Sequence, residues 1–577
     1  MQLIKDRKFK GELTTLLEQE SGIESKLESV LSLFAIKKHL SFFDPLKAKG
    51  FMVSDLLCCL ILMPFQGASN IFKLSQLKVT DVKKDALYTA KNNEYIDWRQ
   101  LLFLMAHRFS TLIDSRSSLQ KSGITALIVD DSPIRKTGKR MEKVSMIHDH
   151  VTNSFILGFK LLVLGFWDGG SFTPINFSIH REKGSKLKKA TDAYKQSVRA
   201  VQKAKTNLSK AEQILHRKQA AVDKHKATAV INPTRTILNR LINATNAEER
   251  ARQKVTSCKK LLTDKEAQQE KSKEERDRIS KTSPSYGLKR KEKEKQFKKK
   301  RMTDSCGGKR AKEANLSKME MFITMLKQAV KKGFVPDYIL TDTWFFCKEL
   351  LLTVNDMSAK GVKLLSMAKM GNTTYTLVSN RKTYNIHALL KKMIREVKYN
   401  RKLKAHYIKI PVVYADTRIN LFLVKFGQNG TWRLLVTNDL DMNFTKAMEV
   451  YQLRWSIEVF FKECKQYLNL GGSLSSDFDA QIADTTLSMI QYIMLAFFKR
   501  MNYQQSFGEI FKDISDEMIE STLAETIWEL FIEVMVALAE VINADAMEMQ
   551  IQAMRKPEAM RMVKSLIFHK RELKSAA

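Results

Sequence analysis

One stretch of the sequence differs in character from everything around it, and it interrupts the pattern of a mixed α/β protein. Between Arg181 and Arg310 the chain has 38 lysine and arginine residues against 15 aspartate and glutamate residues, a net charge of about +23. The stretch is rich in Ala, Lys, Gln and Glu, which predicts long helices broken near INPTRT and KTSPSYG. Two interpretations stay open: a solvated helical hairpin, or helices that lie along a phosphate backbone.

The charge of the whole chain indicates the class of its partner. The 577 residues carry a formal net charge of +36, and 44% of them are hydrophobic, which is enough to build real cores. This length predicts two to four structural units. An excess of positive charge of this size is typical of proteins that bind a polyanion, most often nucleic acid.

Cysteines and apolar runs favour a soluble, intracellular protein. The six cysteines include no CxxC pair, so neither a disulfide framework nor a zinc ribbon is indicated, and a reducing cytosol fits best. The most apolar run, LLCCLILMPF at 56–65, is about half the length needed to span a bilayer. The first residues, MQLIKDRKFK, lack the apolar centre of a signal peptide.

The segments before the basic stretch change from a helical to a strand-like period. Up to about residue 118, apolar residues recur at helical spacing, which predicts a DNA-binding unit or a helical cap on the next domain. ITALIVD then reads as a buried strand that ends at Asp130. Two further strands, FILGFKLLVLGFWDGG and SFTPINFSIH, are predicted to be joined by a Gly-Gly turn.

After the basic stretch the α/β pattern resumes. LSKMEMFITMLKQAVKKG is an amphipathic helix, and VPDYILTDTWF contains a strand that ends at Asp342. Residues 371–441 show four strand-like runs with QNG as a hairpin turn. The remainder of the chain has helical periodicity.

A polar stripe is predicted on one helix, TKAMEVYQLRWSIEVFFKECKQYL. At roughly 100° per residue, Arg454, Glu458 and Lys465 fall within an arc of about 60° that also contains Tyr451. Leucine, isoleucine and phenylalanine residues fall on the neighbouring face, which is expected to be buried. Intrahelical ion pairing explains such a stripe as well as a functional role does.

The strand-end aspartates give this stripe a possible function. Acidic residues at strand ends are where α/β sheets place binding sites. If Asp130, Asp342 and Glu458 converge, three carboxylates are available to hold two divalent cations for phosphoryl transfer. Arg454 and Lys465 would then hold a DNA phosphate beside the metals.

These residues also carry a resemblance to a known family. The spacing Tyr-x2-Arg-x3-Glu-x6-Lys is similar to the YREK signature of bacterial insertion-sequence transposases, which have a DDE catalytic triad on an RNase H-like fold. The resemblance spans about 119–183 and 313–500. It implies that Asp130, Asp342 and Glu458 are catalytic metal ligands, and that Tyr451, Arg454 and Lys465 contact DNA.

The resemblance also implies a role for one tryptophan and a division of the chain. Trp432, in TWRLLVT, is at the approximate place where several relatives use a tryptophan to cap a flipped base, although packing within the β-rich segment explains it equally well. The expected fold is an α/β core with an RNase H-like mixed sheet. The expected regions are a helical N-terminal DNA-binding region (1–118), core parts at 119–183, 313–370 and 442–500, a basic helical insertion (184–312), a β-rich insertion (371–441) and a helical C-terminal region with dimerisation as one role (501–577).

Other polar residues are alternatives or are expected to be structural. Asp131, next to Asp130, is the alternative first metal ligand, and strand alternation favours Asp130. The cluster His148–His150 is expected to be structural rather than a metal site. Asp337, Asp439 and Asp441 are interpreted as solvated turn acids. Arg135, Lys136, Lys139 and Arg140 either line a DNA channel or form a charged loop.

The resemblance therefore implies a cut-and-paste DNA transposase. The expected cofactors are two Mg²⁺ or Mn²⁺ ions for each active site, and the expected partners are double-stranded transposon ends and target DNA, bound by a homodimer without a membrane. The expected location is the bacterial cytoplasm, in association with the nucleoid. Two alternatives stay open: another RNase H-like nuclease, or an inactive transposase-derived DNA-binding protein.

Overall fold

The computed structural model divides the chain into two compact units. It describes residues 31–47, 49–77, 80, 82–116, 123–149, 151–182, 185–282, 287–501 and 505–519. The first unit, the core unit, consists of the described residues of Met1–Ile134, Lys160–His180 and Lys298–Ala577. The second unit, the arm unit, consists of those of Arg135–Phe159 and Arg181–Phe297.

The strands of the described residues belong to one mixed sheet. They are β1 (Ala126–Arg135), β2 (Ser145–Asp149), β3 (Ser154–Trp167), β4 (Phe172–His180), β5 (Tyr338–Thr341), β6 (Lys363–Ala368), β7 (Thr374–Leu377), β8 (Thr383–Asn385), β9 (Lys398–Asn400), β10 (Ala405–Tyr414), β11 (Thr417–Phe426) and β12 (Arg433–Thr437). In the core unit the order is β3-β1-β5-β6-β12-β11-β10-β7-β8, with β4 paired to β3 and β9 to β10. The prediction of a mixed α/β fold is confirmed.

Three parallel strands lie within this mostly antiparallel sheet. β1 pairs with β5, and β5 pairs with β6, both in parallel register. Every residue of β5 is buried, as are the first four residues of β1. Parallel strands buried on both faces read as continuous apolar runs, which is why ITALIV and YIL were recognisable in the sequence. The predicted β3–β4 pair also forms, in antiparallel register.

Helices account for most of the other described elements. They are α1 (Ile36–Leu40), α2 (Val53–Leu62), α3 (Ile71–Leu77), α4 (Lys84–Lys91), α5 (Trp98–Asp114), α6 (Ser185–Ile231), α7 (Arg235–Thr282), α8 (Arg290–Glu294), α9 (Cys306–Glu313), α10 (Lys318–Lys331), α11 (Lys348–Asn355), α12 (Ile386–Met393), α13 (Phe444–Gln452), α14 (Trp455–Tyr467) and α15 (Phe478–Met501), with short 3-10 helices at Ser41–Leu46, Ser358–Lys360 and Ile394–Glu396. Residues 507–519 are also helical. None of the described helices has both the length and the apolar character that crossing a bilayer requires.

Helix α15 lies at the centre of the helical packing in the core unit. Nearly all of its residues are buried, and it packs against α5 and β4. The ring of Phe497 contacts those of Phe34 and Phe109, at centroid distances of 5.5 and 6.3 Å. The N-terminal helices are therefore anchored to the core by aromatic packing.

Buried ion pairs fix the segment that follows the basic stretch. Lys299 Nζ lies 2.7 Å from Asp479 Oδ2, and Arg301 Nη2 lies 3.0 Å from Asp477 Oδ1. The side chains of Asp479 and Arg301 are 3% and 5% exposed. Because an unpaired charge at such depth is costly, these four residues hold the chain firmly where it re-enters the core unit.

In the arm unit, α6 and α7 pack along each other as a long hairpin. With 47 and 48 residues, each helix is about 70 Å long. Buried residues of α6 recur every seven residues, as in a coiled coil; they include Ala190, Ser197, Ala204 and Ala211. α6 ends at Ile231, directly before Asn232-Pro233, as the sequence predicted, because proline lacks an N–H and disfavours helical backbone in the residue before it.

A buried histidine at the end of β4 predicts how stability depends on pH. His180 is 2% exposed, its Nδ1 faces the carbonyl of Leu316 and its Nε2 lies 2.6 Å from Ser178 Oγ, so it fits as the neutral ring. Burial lowers the pKa of His180 from 6.5 to about 4.

Because the folded pKa lies below the unfolded pKa, this stabilisation is complete above pH 6.5 and is lost as the pH falls towards 4. We expect the free energy of unfolding to fall by about 2 kcal/mol between pH 7.5 and 5 through this group. Urea denaturation of wild type and His180→Gln over this range tests the prediction. The variant should show a smaller decrease, and equal pH dependence of the two proteins would contradict it.

Candidate active site

Two aspartates lie side by side at the centre of the sheet. β1 and β5 pair with Ala126 opposite Tyr338 and Ile128 opposite Leu340. Continued by two residues, this register sets Asp130 opposite Asp342, on neighbouring strands that are about 4.8 Å apart. The sequence predicted this convergence from two segments more than 200 residues apart.

The prediction that Asp130 terminates its strand is wrong. β1 continues to Arg135, so Asp130 lies in the middle of the strand, whereas Asp342 does directly follow β5. In this continuation buried and more exposed side chains alternate in part, since Ser132 and Ile134 are buried. Its polar residues form no apolar run, so the sequence pattern did not predict that the strand continues.

Asp131 has different partners from those of Asp130. Its carboxylate lies 3.0 Å from Lys318 Nζ and 3.6 Å from Lys160 Nζ. The Lys160 side chain is only 2% exposed, so Asp131 neutralises a buried charge. The ion pairs give Asp131 a structural role and leave Asp130 as the stronger candidate for the site.

The prediction of one continuous helix for the polar stripe is also wrong. Helix α13 ends at Gln452 and α14 begins at Trp455. At the junction the amides of Leu453 and Arg454 donate to the carbonyls three residues earlier, at 3.1 Å each, so the chain tightens into a 3-10 turn. Tyr451 therefore belongs to α13, whereas Glu458 and Lys465 belong to α14.

Arg454 links the helix pair to the sheet. Its Nη1 donates to Asp130 Oδ2 at 2.8 Å, and its Nη2 donates to Glu458 Oε1. One guanidinium thus binds two of the three predicted acidic residues. Tyr451 is close by, because its hydroxyl donates to the carbonyl of Thr341, the residue before Asp342, at 3.4 Å.

Burial makes negative charge unfavourable in this cluster. It raises the pKa of Asp130 to about 6, although the Arg454 guanidinium opposes this shift and Asp342 adds to it. Burial also raises the pKa of Asp342, against the effects of the Trp344 amide, which donates to it at 2.8 Å, and of Arg454. The cluster is therefore an environment that favours a bound cation.

Lys465 contacts the strand that carries Asp130. Its Nζ donates to Ser132 Oγ at 2.6 Å and to the carbonyl of Pro133 at 3.3 Å. This ammonium therefore lies near the continuation of β1, two to three residues beyond Asp130, on the same core unit.

Trp432 lies at the same end of the central strands as Asp342, but two strands away from β5. It precedes β12, which is antiparallel to β6 with Leu434 opposite Ala368. The last residue of β5 and the first residue of β12 therefore lie at the same end of the strands. Trp432 is half-buried.

A second tryptophan, which the sequence analysis missed, is closer to the site. Trp344 follows Asp342 by two residues, and its side chain is 45% exposed. The ammonium groups of Lys318 and Lys369 lie 4.4 and 5.5 Å from its ring centre. The sequence did offer a sign of this proximity, because in LTDTWF this tryptophan follows the strand-end aspartate by two residues.

The other polar candidates have structural contacts of their own. Asp439 is buried and accepts a hydrogen bond from the Tyr338 hydroxyl at 2.6 Å, so its interpretation as a solvated acid is wrong. Asp337 accepts from the amide and hydroxyl of Thr125, while Asp441 is exposed. In the arm unit, Asp149 accepts from the amide of Val151. His150 lies outside the described residues.

The basic residues from the end of β1 onwards belong to the arm unit, and their exposure and contacts differ. Arg135 is exposed, Lys136 is buried, and Lys139 forms an ion pair of 2.6 Å with Glu292. Arg140 contributes its backbone carbonyl, which accepts from the amide of Phe297 at 2.7 Å. These contacts favour the interpretation of the segment as a charged loop with structural roles.

The donor set fits a hard divalent cation, although the side chains do not form a closed cage. In the described parts of the chain, no three histidine, cysteine, aspartate or glutamate side chains stand close enough to hold a metal. The reason at this site is visible, since the Arg454 guanidinium lies between Asp130 and Glu458. Carboxylate oxygens are nevertheless ligands that Mg²⁺ prefers.

Comparison with known proteins identifies the family of the chain. Residues 121–494 match the family model described as "Transposase DDE domain", and the match contains Asp130, Asp342 and the helix pair α13–α14. No curated protein matches the chain. Because the matched residues make up well over half of its length, the chain belongs to the family of transposases with a DDE domain.

Proposed function

We propose that this DDE transposase is an insertion-sequence enzyme of the YREK group, which cuts DNA at the element's ends and inserts the element elsewhere by cut and paste. The observation that supports the proposal is the parallel pairing of β1 with β5, which brings Asp130 near Asp342, together with Arg454, which joins Asp130 to Glu458. Asp130 and Glu458, from distant parts of the sequence, thereby share one guanidinium, and Asp342 directly follows the strand next to that of Asp130.

Asp130, Asp342 and Glu458 are the residues that would hold two Mg²⁺ or Mn²⁺ ions. When bound, such ions supply charge stabilisation for the attacking and leaving oxygens of a phosphoryl transfer. Arg454 already supplies positive charge between Asp130 and Glu458, and it holds these two carboxylates near each other. We propose that it turns towards a DNA phosphate once the carboxylates have another cation.

Tyr451, Arg454 and Lys465 are proposed to position the phosphate at the end of the element. The three side chains lie around Asp130: Arg454 on its carboxylate, Tyr451 beside Thr341 of the adjacent strand, and Lys465 on Ser132. A guanidinium binds a phosphate through two parallel hydrogen bonds, whereas an ammonium binds it as a point charge. Together they would hold the reacting phosphorus against the carboxylates.

The proposed reaction is an in-line displacement that occurs at least twice. Water attacks the phosphodiester at the end of the element, the bond to the 3′ oxygen breaks, and that oxygen leaves as a free 3′-hydroxyl. This hydroxyl then attacks a phosphodiester of the target DNA and displaces a new 3′-hydroxyl. A hairpin intermediate, with Trp432 capping a flipped base, is proposed on family analogy alone.

The remaining parts of the proposal concern assembly and location. The substrate is double-stranded DNA, and a homodimer is expected because two ends must be joined in one reaction. The proposed location is the bacterial cytoplasm, where the net charge of +36 favours association with the nucleoid.

A strand-cleavage assay on DNA that carries the element's ends tests the function. With Mg²⁺, we expect wild type to cleave and Glu458→Gln to be slower by about a hundredfold or more, because the amide removes one negative charge from the proposed metal ligands. The exposed Glu396→Gln, in the Ile394–Glu396 turn, is a matched control that should cleave normally.

Two outcomes would favour other functions. Equal cleavage by wild type and Glu458→Gln would remove Glu458 from the assigned triad. Sequence-specific binding by wild type, without cleavage in Mg²⁺ or Mn²⁺, would identify an inactive DNA-binding descendant of a transposase.

A further inference from the structure

The tip of the arm hairpin, residues 224–247, contains no buried residue. The last buried residue of α6 is Val222 and the first buried residue of α7 is Ala251, and none of the residues between them is buried. Val230 and Ile231, at the end of α6, are 86% and 85% exposed. Their aliphatic side chains therefore do not stabilise the arm.

The charge of the tip is of one sign. Residues 224–247 contain four basic side chains and no aspartate or glutamate, whereas the remainder of α7 contains eight acidic residues. The four tip cations are Lys224, Lys226, Arg235 and Arg240. The same 24 residues include four threonines and four asparagines, which donate hydrogen bonds to phosphate oxygens in DNA complexes.

We propose that the hairpin tip is a DNA-bending wedge. The four tip cations would bind phosphates along the minor groove, while Val230 and Ile231 insert between two base pairs. Proteins that bend DNA commonly insert aliphatic residues in this way, and the bend brings more of the duplex against the protein. The adjacent Pro233 fixes the turn that presents the two side chains.

Charge distinguishes DNA from the other kinds of partner that bind exposed aliphatic side chains. A second copy of the same tip would bring eight cations together without a single carboxylate, which opposes association. Proteins that insert into the membrane interface usually carry aromatic residues, and 224–247 contains no Phe, Tyr or Trp. Double-stranded DNA offers partners to both kinds of residue, since its phosphates bind the cations and its stacked base pairs accept the aliphatic side chains.

The wedge goes beyond the proposed chemistry, because it requires none of the acidic residues of the core unit. It can therefore be tested without divalent metal, in EDTA, where cleavage cannot occur. A failure of the wedge and a failure of the proposed function would then appear in different experiments.

Bending is measured with the full-length protein on duplex DNA that carries a fluorescent dye at each end. We expect wild type to raise energy transfer between the dyes. Val230→Thr/Ile231→Thr should largely abolish this rise and weaken binding by about tenfold, because the β-branched shape remains but the apolar surface is lost. Ile214→Thr, on α6 outside the tip and 51% exposed, is the matched control and should bend DNA like wild type.

The salt dependence of binding separates the cations from the wedge. Lys224→Ala/Lys226→Ala should reduce the slope of log affinity against log salt by about 2, because each lost phosphate contact contributes about 0.9. Val230→Thr/Ile231→Thr should leave the slope unchanged.

Three results would overturn the proposal. The first is that Val230→Thr/Ile231→Thr bends DNA as wild type does. The second is that this variant loses self-association but still bends DNA. The third is that binding to anionic vesicles depends on Ile231 whereas DNA bending does not.

Discussion

Asp130→Asn is expected to lower the rate of DNA strand cleavage by about a thousandfold or more, while the chain remains folded. A thousandfold loss corresponds to about 4 kcal/mol of transition-state stabilisation, which is the scale of one lost charge at a metal-assisted phosphoryl transfer. Asp130 is also one of the two carboxylates that hold Arg454, so its loss releases the guanidinium from the sheet. Single-turnover cleavage with Mg²⁺ measures the effect.

Stability should not fall in this variant, because burial already makes the Asp130 carboxylate unfavourable and raises its pKa to about 6. Asn keeps the shape and removes the buried charge. Thermal unfolding without metal should therefore give a midpoint at or above that of wild type. Asp441→Asn, an exposed acid after β12, is the control for both measurements. Wild-type cleavage by Asp130→Asn would exclude Asp130 as a metal ligand.

The pairing of the two aspartates was predictable because each follows a continuous apolar run. The strand residues ALIV and YIL are buried on both faces, so a continuous apolar run in the sequence predicts each strand. The end of β1 was not predictable in the same way. After Asp130 the strand continues through DSPIR, and this continuation has no apolar run of its own.

The helix junction shows a different limit. Leu453 and Arg454 keep right-handed helical dihedrals, and no glycine or proline marks the 3-10 turn between α13 and α14. Phasing along one ideal helix therefore set Tyr451 and Glu458 on a common face without detecting the break. Residues four apart still meet, so the Arg454–Glu458 contact survives.

The partners of the stripe depend on contacts that no local pattern contains. Arg454 binds Asp130 across 324 positions of sequence, and Lys465 binds Ser132 across 333. The sequence supported an intrahelical ion-pair stripe and a functional stripe equally. In the structure Arg454 forms both an intrahelical pair with Glu458 and a link to Asp130 on the sheet. The proposed function therefore rests on these contacts and not on residue spacing alone.

Asp131→Asn is expected to lower the free energy of unfolding by about 3 kcal/mol, the usual cost of removing one partner from a buried ion pair. The reason is Lys160, which is 2% exposed and lies 3.6 Å from the Asp131 carboxylate. Lys318, at 3.0 Å and also largely buried, loses the same partner. Denaturant unfolding of wild type and variant at pH 7.5 measures the loss.

A double variant tests whether the unpaired charge of Lys160 causes the loss of stability. Asp131→Asn/Lys160→Met removes both members of the buried pair, and we expect it to recover much of the lost stability, because an apolar side chain then fills the site of the buried ammonium. Cleavage per folded molecule should remain within a few-fold of wild type in both variants when it is measured well below their unfolding midpoints. The opposite result is that Asp131→Asn keeps wild-type stability and loses cleavage to the extent expected for Asp130→Asn. In that case Asp131 is the first metal ligand, and the structural role assigned to its ion pairs with Lys160 and Lys318 is wrong.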